Sequence, residues 1–206
     1  SLFITVFSVL AIVFLTSMCA WYISRVKNAL TSTIYYLCLF SMIVPFQMVM
    51  FSLSLVADRL NPATPWGIII IYLGFGAGLA VFMFCGFVKS IPIEIEEAAL
   101  IDGCGYRKTF FRIMLPNARP AIVTVFMLSL VWNWNDSFTQ TFLSMSRNTV
   151  AVYLTQIRGM LGTMTAEYED PTYLYILIQA GALLCIFPLL LLFLLLLLQL
   201  CYLPPL

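Results

Sequence analysis

The chain has 206 residues, of which 63% are hydrophobic and 9% are charged. A soluble domain carries roughly a quarter charged residues, and none of this size could bury so much apolar surface, so the composition indicates an integral membrane protein. The net charge of +1 excludes a general electrostatic attraction to nucleic acid. The chain contains no histidine, the commonest metal ligand and general base. We therefore expect no catalytic residue, no metal site and no nucleic-acid partner.

Long apolar segments divide the chain into about five predicted membrane spans, since a transmembrane helix needs about 20 predominantly apolar residues. We predict an all-α fold, a polytopic transmembrane helical bundle that forms a single domain over residues 1–206. The spans are predicted at Ser1–Tyr22, Thr33–Leu55, Trp66–Val88, Ala118–Asn135 and Tyr173–Leu198.

The distribution of basic residues predicts how the chain is oriented. Loops rich in lysine and arginine stay on the cytoplasmic side of a membrane, and these residues favour the first and third predicted loops. They are Arg25 and Lys27 in the first loop and Lys89, Arg107, Lys108, Arg112 and Arg119 in and around the third. We therefore place the third loop in the cytoplasm and the Ser1 end outside, together with an exposed tip predicted at Gly159–Asp170.

Two features predict local departures from straight helices. Pro45 lies inside the second predicted span, where it should kink the helix and free a carbonyl group. In the third span, Gly74 and Gly78 form a G-x-x-x-G pair, which lets the backbone of a neighbouring helix approach closely. We interpret the glycines as a packing site within the subunit, with contact to a pore or a partner subunit as the alternative.

Polar residues at the end of the fourth span are candidates for a translocation path. Asn133, Asn135 and Asp136 lie beside Trp132 and Trp134, whose rings are typical anchors at a membrane interface. Polar groups at the edge of the hydrocarbon region cost free energy unless they face protein or water. These three residues therefore either line a path or simply lie at the interface.

The stretch from Ile91 to Pro116 holds most of the charge of the chain, and its first half has the pattern of a docking helix. Pro92 suits the first turn of a helix. The acidic residues of that turn complement the positive end of the helix dipole, and they are Glu94, Glu96 and Glu97. Four residues of this helix recur at helical spacing and should share one face. Two of them are alanines, whose small side chains would let this face dock closely into a groove. The set is Ile95, Ala98, Ala99 and Asp102.

The second half of the stretch predicts a glycine elbow and another helix. Gly103 and Gly105 should stop the first helix. The second is predicted from Tyr106 to Leu115, with an apolar stripe and basic residues facing water or lipid phosphates. The stripe is Tyr106, Phe110 and Ile113, and the basic residues are Arg107, Lys108 and Arg112. Such a loop could lie on lipid, but its acidic front disfavours an anionic membrane surface and favours a protein partner.

Residues at fixed spacing in this hairpin also carry a family resemblance. They are Glu97-Ala98-Ala99, Asp102-Gly103 and Ile113-x-Leu115-Pro116. Together they resemble the EAA loop of permease subunits of bacterial ATP-binding-cassette importers. The flanking segments Ile91-Pro92-x-Glu94 and Trp134-Asn135-Asp136 further resemble the sugar-importer branch, the maltose-type permeases. The similarity covers most of the chain, from Ser1 to about Gly181.

The resemblance implies a six-span subunit of a bacterial plasma membrane that pairs with a second permease. Two ATPase subunits would bind ATP and Mg²⁺, so no cofactor is expected in this chain. An extracytoplasmic solute-binding protein would deliver a carbohydrate near Gly159–Asp170. Residues 91–116 would form the coupling loop, with Glu97 facing an ATPase. The residues implied in coupling are Glu94, Glu97, Ala98, Ala99, Asp102, Gly103, Ile113, Leu115 and Pro116.

Two departures from the family pattern and two rival classes accompany this interpretation. The family's first span is missing upstream, which suggests a fragment, and the leucine-rich end predicts no ATPase contact by a C-terminal tail. Truncation, a frameshift or uncertain residue assignment would explain that end.

A secondary transporter, independent of any ATPase, should instead place acidic residues within its spans. A membrane-embedded enzyme would need a nucleophile, a base or a metal cluster at membrane depth.

Overall fold

The structure is a computed structural model, which describes residues 1–60, 64–143, 149–156 and 171–202. The described residues contain helices and connecting turns and no strand, which confirms the predicted all-α class. Residues 150–156 form a further short helical segment. The principal helices are α1 Leu2–Arg25, α2 Ala29–Ile43, α3 Phe46–Leu60, α4 Pro65–Ser90, α5 Ile93–Ile101, α6 Tyr106–Asn117, α7 Arg119–Asn135, α8 Phe138–Leu143 and α9 Pro171–Tyr202.

The parallel helices α1 and α4 form the centre of the bundle, and α2 and α7 pack against them. Their shared core is apolar, with Ile12, Phe84 and Cys85 fully buried and Val125 of α7 in the same cluster. The hydroxyl groups of Ser8, Thr16 and Ser17 donate to carbonyls of α1 itself, as where the Thr16 hydroxyl donates to the Ile12 carbonyl at 2.6 Å. Helix α1 can therefore be buried without leaving these hydroxyl groups unpaired.

Local sequence signals account for where the central helices begin. Asn28 and Thr31 form a reciprocal capping box before α2, in which the Asn28 side chain accepts from the Thr31 backbone N–H at 2.8 Å. Thr64 caps α4, and Pro65 occupies its first turn. Both arrangements satisfy backbone donors that have no partner inside the helix.

The second predicted span is not one kinked helix but two helices, α2 and α3, which are bent by 107° relative to each other. The break falls at Val44 and Pro45, where Val44 takes an extended conformation. Proline has no N–H to donate and disfavours helical geometry in the residue before it. The predicted position of the bend is confirmed, but its size exceeds that of an ordinary proline kink.

The fourth predicted span is preceded by a second bend, of 75°, between α6 and α7. Helix α6 contains a π-helical turn at Phe110–Met114, in which the Leu115 N–H donates to the Phe110 carbonyl. Pro116 follows this turn, and Pro120 lies in the first turn of α7. Helix α6 therefore continues through Pro116 to Asn117, two residues past its predicted end at Leu115, and the bend falls at Ala118.

Among the residues that the structure describes, two helices, α1 and α4, are individually long and apolar enough to cross a membrane. The bent pairs α2–α3 and α6–α7 raise the total to as many as four if each pair counts as one span. Helix α9 has 32 residues and contains an apolar segment, Ile178–Leu194. Five spans are thus compatible with the described helices, and their exact number remains a prediction.

The glycines of α4 permit close packing within the subunit, but of the predicted pair, Gly74 and Gly78, only Gly78 has a close neighbour. A Cβ atom added to Gly78 would lie 2.7 Å from the Cys38 carbonyl oxygen of α2, so this site requires glycine. Gly74 has nothing within 4 Å, whereas a Cβ at Gly76 would lie 2.8 Å from the Ile12 side chain. The close approach therefore involves Gly76 and Gly78, which face α1 and α2 respectively.

Candidate docking hairpin

Helices α5 and α6 form a hairpin at the end of the bundle where α1 and α4 finish, which we call the hairpin end. The elbow follows α5, where Gly103 has a φ of +81°. The Cys104 N–H donates to the Ala99 carbonyl at 2.9 Å, and the Gly103 N–H donates to the Leu100 carbonyl at 3.1 Å. These two bonds form a Schellman motif, which requires a left-handed residue at the position of Gly103. The predicted glycine elbow is confirmed at Gly103, whereas Gly105 has a φ of −71°.

The exposed face of α5 is the candidate docking surface. Glu94, Glu97, Ala98 and Asp102 are all exposed, and the Ile101 side chain is 86% exposed. Ile93 is also exposed and lies on the same side of α5 as Ile101, so this face carries more than one exposed apolar side chain, as surfaces that contact another protein do. This surface combines a small residue, apolar residues and negative charge.

The two alanines of the predicted thin face do not lie on the same side. Ala99 is buried, and α5 packs on α6, whereas Ala98 is exposed. Adjacent helical residues are about 100° apart, so the boundary of the buried face passes between them. The expectation of one face that contains both alanines is therefore wrong, and only Ala98 is available for contact.

Glu96 is the buried carboxylate of the hairpin and is held by the end of α1. Arg25 donates to Glu96 Oε1 from Nη2 at 2.8 Å and from Nε at 3.0 Å. Trp21 donates from Nε1 to the other carboxylate oxygen at 3.0 Å. Arg25 also donates to the Ile91 carbonyl at 3.0 Å. We call Trp21, Arg25 and Glu96 the α1 clamp.

The α1 clamp was not predicted from the sequence, which assigned Arg25 to a charged loop and Glu96 to the helix dipole. The side chains of Arg25 and Glu96 are only 17% and 7% exposed, and a buried charge requires a partner. One sequence signal could have found Glu96, because it lies three residues before Ala99 and so shares the buried face. No spacing rule, however, identifies a partner 71 residues away.

The second half of the motif lies at the base of the hairpin. Leu115 packs against a buried cluster that joins the hairpin to the ends of α4 and α7, while Ile113 and Pro116 are half-buried. The buried members are Val88, Phe110, Met114 and Ala118. The Asn117 side-chain amide donates to the Ile113 carbonyl at 2.9 Å. These residues fix the base of the hairpin to the bundle.

The predicted apolar stripe of α6 is partly wrong. Tyr106 is 70% exposed, while Phe110 and Met114 are buried. The π-helical turn changes the register along α6, so a 3.6-residue spacing no longer identifies its buried face. The basic residues of α6 are exposed as predicted, and they are Arg107, Lys108 and Arg112.

The residues predicted to line a translocation path lie at the opposite end of the bundle, which we call the Ser1 end. Asn133 is only 1% exposed, and its amide donates to the Ser8 hydroxyl at 2.9 Å, so it joins α7 to α1. Asn135 is exposed and donates to the Val131 carbonyl of its own helix. Asp136 accepts from the Thr139 backbone N–H at 3.1 Å and caps α8. The three residues therefore have different environments.

The Ser1 end contains a second buried polar contact. The Gln140 amide of α8 donates to the Tyr72 hydroxyl of α4 at 2.8 Å, and both side chains are buried. Residues 149–156 also pack here, since the Val150 N–H donates to the Ser1 hydroxyl at 2.7 Å. The predicted tip at Gly159–Asp170 lies outside the described residues.

This arrangement of apolar helices, with a hairpin anchored at one end, is that of a polytopic membrane protein. The chain belongs to the family described as "binding-protein-dependent transport system inner membrane component", which it matches over residues 12–205. It is accordingly a multi-pass inner-membrane protein.

Several relatives are permease proteins of named sugar transport systems. The chain is 40% identical over 136 residues to the probable starch degradation products transport system permease protein AmyC of Thermoanaerobacterium thermosulfurigenes, covering 66% of this chain and 50% of that protein. It is 33% identical over 197 residues to the melibiose/raffinose/stachyose import permease protein MelC of Bacillus subtilis, covering 94% of this chain and 68% of MelC. The chain thus spans about half the length of AmyC.

A solved structure has the same fold. It is the crystal structure of a bacterial ABC transporter involved in the import of the acidic polysaccharide alginate, and it matches with a TM-score of 0.70 at 19% identity. The match covers 93% of this chain and 70% of that chain. At this identity the likeness concerns the fold.

Proposed function

We propose that the chain is the permease subunit of an ATP-driven importer of carbohydrate. The observation that carries this proposal is the hairpin, whose exposed α5 face is free to bind a partner while its other face is anchored to α1. The family is one of transport-system membrane components. The relatives AmyC and MelC, named for starch degradation products and for melibiose, raffinose and stachyose, support carbohydrate as the substrate class.

The partners follow from the same proposal. Two ATP-binding-cassette ATPases would bind at the hairpin end, which we place in the cytoplasm, and they would hold the ATP and Mg²⁺. A second, related permease would complete the membrane pathway, and a soluble binding protein would deliver substrate at the Ser1 end. Glu94, Glu97, Ala98 and Asp102 would contact the ATPase, because these motif residues are exposed on α5.

The mechanism is a coupled two-state change. ATP binding favours a closed ATPase pair, which moves the docked α5. Because α5 and α6 are joined by the Schellman elbow and the base is packed on α4 and α7, the hairpin moves as one piece. Its movement tilts the attached helices and exchanges an inward-facing pathway for an outward-facing one.

Co-purification tests the proposed partner class. Glu97→Lys reverses an exposed charge on α5, so we expect a roughly tenfold or greater loss of ATPase per permease, which corresponds to about 1.4 kcal/mol. Ser90→Lys adds a positive charge at an exposed position outside α5, and it should retain the ATPase. Equal retention by the two variants would contradict docking through Glu97.

The absence of any ATPase from the purified wild-type complex would favour the rival class, a secondary transporter. Such a protein needs ionisable groups that face its pathway at membrane depth. The buried Glu96 instead lies at the hairpin end and is paired with Arg25. Substrate identity is best tested by measuring which oligosaccharides the cognate solute-binding protein binds.

A further inference from the structure

We propose that the α1 clamp transmits the movement of the hairpin to α1. In this inference Trp21, Arg25 and Glu96 are positioning residues that couple ATP hydrolysis to transport. The inference rests on the proposed function and adds a specific path, through α1, to the general movement of the hairpin.

The first argument is the number and direction of the bonds. Both oxygens of Glu96 are engaged by α1, and Arg25 binds both this carboxylate and the Ile91 carbonyl just before α5. Charge-assisted hydrogen bonds are directional and are stronger than neutral ones. Helix α5 therefore cannot shift along or rotate about α1 without breaking several of them.

The second argument is that the hydrogen bonds of the α1 clamp hold only one face of α5. Glu94 and Glu97 are exposed on α5, whereas Glu96 is buried. A partner that pushes on the exposed face would thus transfer its movement to α1 through the opposite face. The apolar cluster at the base of α6 connects to α4 and α7, but apolar packing is non-directional and sets no comparable register.

The third argument is that Trp21 connects α1 to both helices of the hairpin. Its Nε1 atom donates to Glu96 of α5, while its ring centroid lies 5.4 Å from that of Phe110 in α6. A cleft of about 260 Å³ lies beside the clamp, lined in part by Glu97 and Tyr106. The cleft lies between α1 and the hairpin, so side-chain packing does not fill this space and the hydrogen bonds of the clamp bridge it.

The test measures substrate transported per ATP hydrolysed by the complete complex in proteoliposomes, with each rate normalised to assembled complex. Glu96→Gln and the double variant Arg25→Leu with Glu96→Leu should lower this ratio by roughly 2- to 30-fold, the range found for residues that carry coupling. Lys27→Gln is the matched control, because Lys27 is exposed two residues beyond Arg25. It should leave the ratio unchanged.

The ratio separates coupling from a merely structural role, since fewer folded complexes lower transport and hydrolysis together. An unchanged ratio in the double variant would overturn the inference. Should that variant fail to assemble, Trp21→Phe decides the matter, because it removes the N–H donor and keeps an aromatic, though smaller, ring beside Phe110. A Trp21→Phe complex with the wild-type ratio would then overturn the inference. A wild-type complex that binds no ATPase would instead refute the proposed function itself.

Discussion

The two ends of α1 are both tied to neighbouring helices, but by different chemistry. At the hairpin end, Arg25 and Trp21 surround the Glu96 carboxylate in a partly buried ion pair. At the Ser1 end, the neutral Asn133 amide meets the neutral Ser8 hydroxyl. Breaking a buried ion pair leaves an unpaired charge, whereas breaking a neutral hydrogen bond leaves only a dipole. The ion pair at the hairpin end is therefore suited to stay intact during movement. The neutral hydrogen bond at the Ser1 end is suited to break and re-form.

The largest expected effect comes from removing one partner of the ion pair. Glu96→Leu leaves the Arg25 guanidinium without its carboxylate, so we expect the free energy of unfolding to fall by about 3–5 kcal/mol. Equilibrium unfolding of the complex in mixed micelles measures this loss. In the double variant Arg25→Leu with Glu96→Leu, apolar residues replace the whole pair, and much of the stability should return.

A double variant that is no more stable than Glu96→Leu would show that the loss does not come from the unpaired charge. The double variant also sharpens the comparison, since stability should recover while transport per ATP does not. Recovery of both quantities together would mean that the hairpin end holds α1 only by packing.

The elbow should show an intermediate effect. Gly103→Val places a β-branched residue at a φ of +81°, which costs about 1–3 kcal/mol and should reorient α6 relative to α5. We expect reduced transport per ATP, measured in proteoliposomes. Gly105→Val is a matched control, because neither glycine has an atom within 4 Å of an added Cβ while Gly105 has a φ of −71°. Normal transport by Gly103→Val would argue against a rigid elbow.

The smallest expected effect is at the Ser1 end. A double-mutant cycle of Ser8→Ala and Asn133→Ala should give a coupling energy of ~0.6 kcal/mol, the average for hydrogen bonds between transmembrane helices. Unfolding measurements on the two single variants and the double variant provide the cycle. A coupling energy as large as the loss in Glu96→Leu would remove the distinction between the two ends.

The elements of the hairpin could be predicted from sequence because their signals are local. Pro92 and Gly103 mark the two ends of α5 through their φ angles, which depend on neighbouring residues only. The position of the Pro45 break was predictable for the same reason. Its angle of 107° was not, because proline determines where a helix ends and packing determines where the next one points.

The faces of the hairpin were harder to predict, since apolar residues lie on both sides of α5. Ile101 is 86% exposed, whereas the charged Glu96 is buried, so hydrophobic spacing gives the wrong inner face. The π-helical turn of α6 likewise changes the register after Phe110, so that Met114 is fully buried and Ile113 only half-buried. The pairing of Glu96 with Arg25 is a tertiary contact and has no local signal.

Helix α1 runs without a break from Leu2 to Arg25, and this continuity makes it a lever. With a rise of about 1.5 Å per residue, Ser8 lies ~26 Å along the axis from Arg25. A tilt of about 5° at the hairpin end would then displace Ser8 by ~2 Å. If α7 does not follow this movement, the Ser8–Asn133 bond lengthens from 2.9 Å to about 3.5 Å or more, where hydrogen bonds fail. A small rotation at the hairpin end would thus be amplified into an open contact at the Ser1 end.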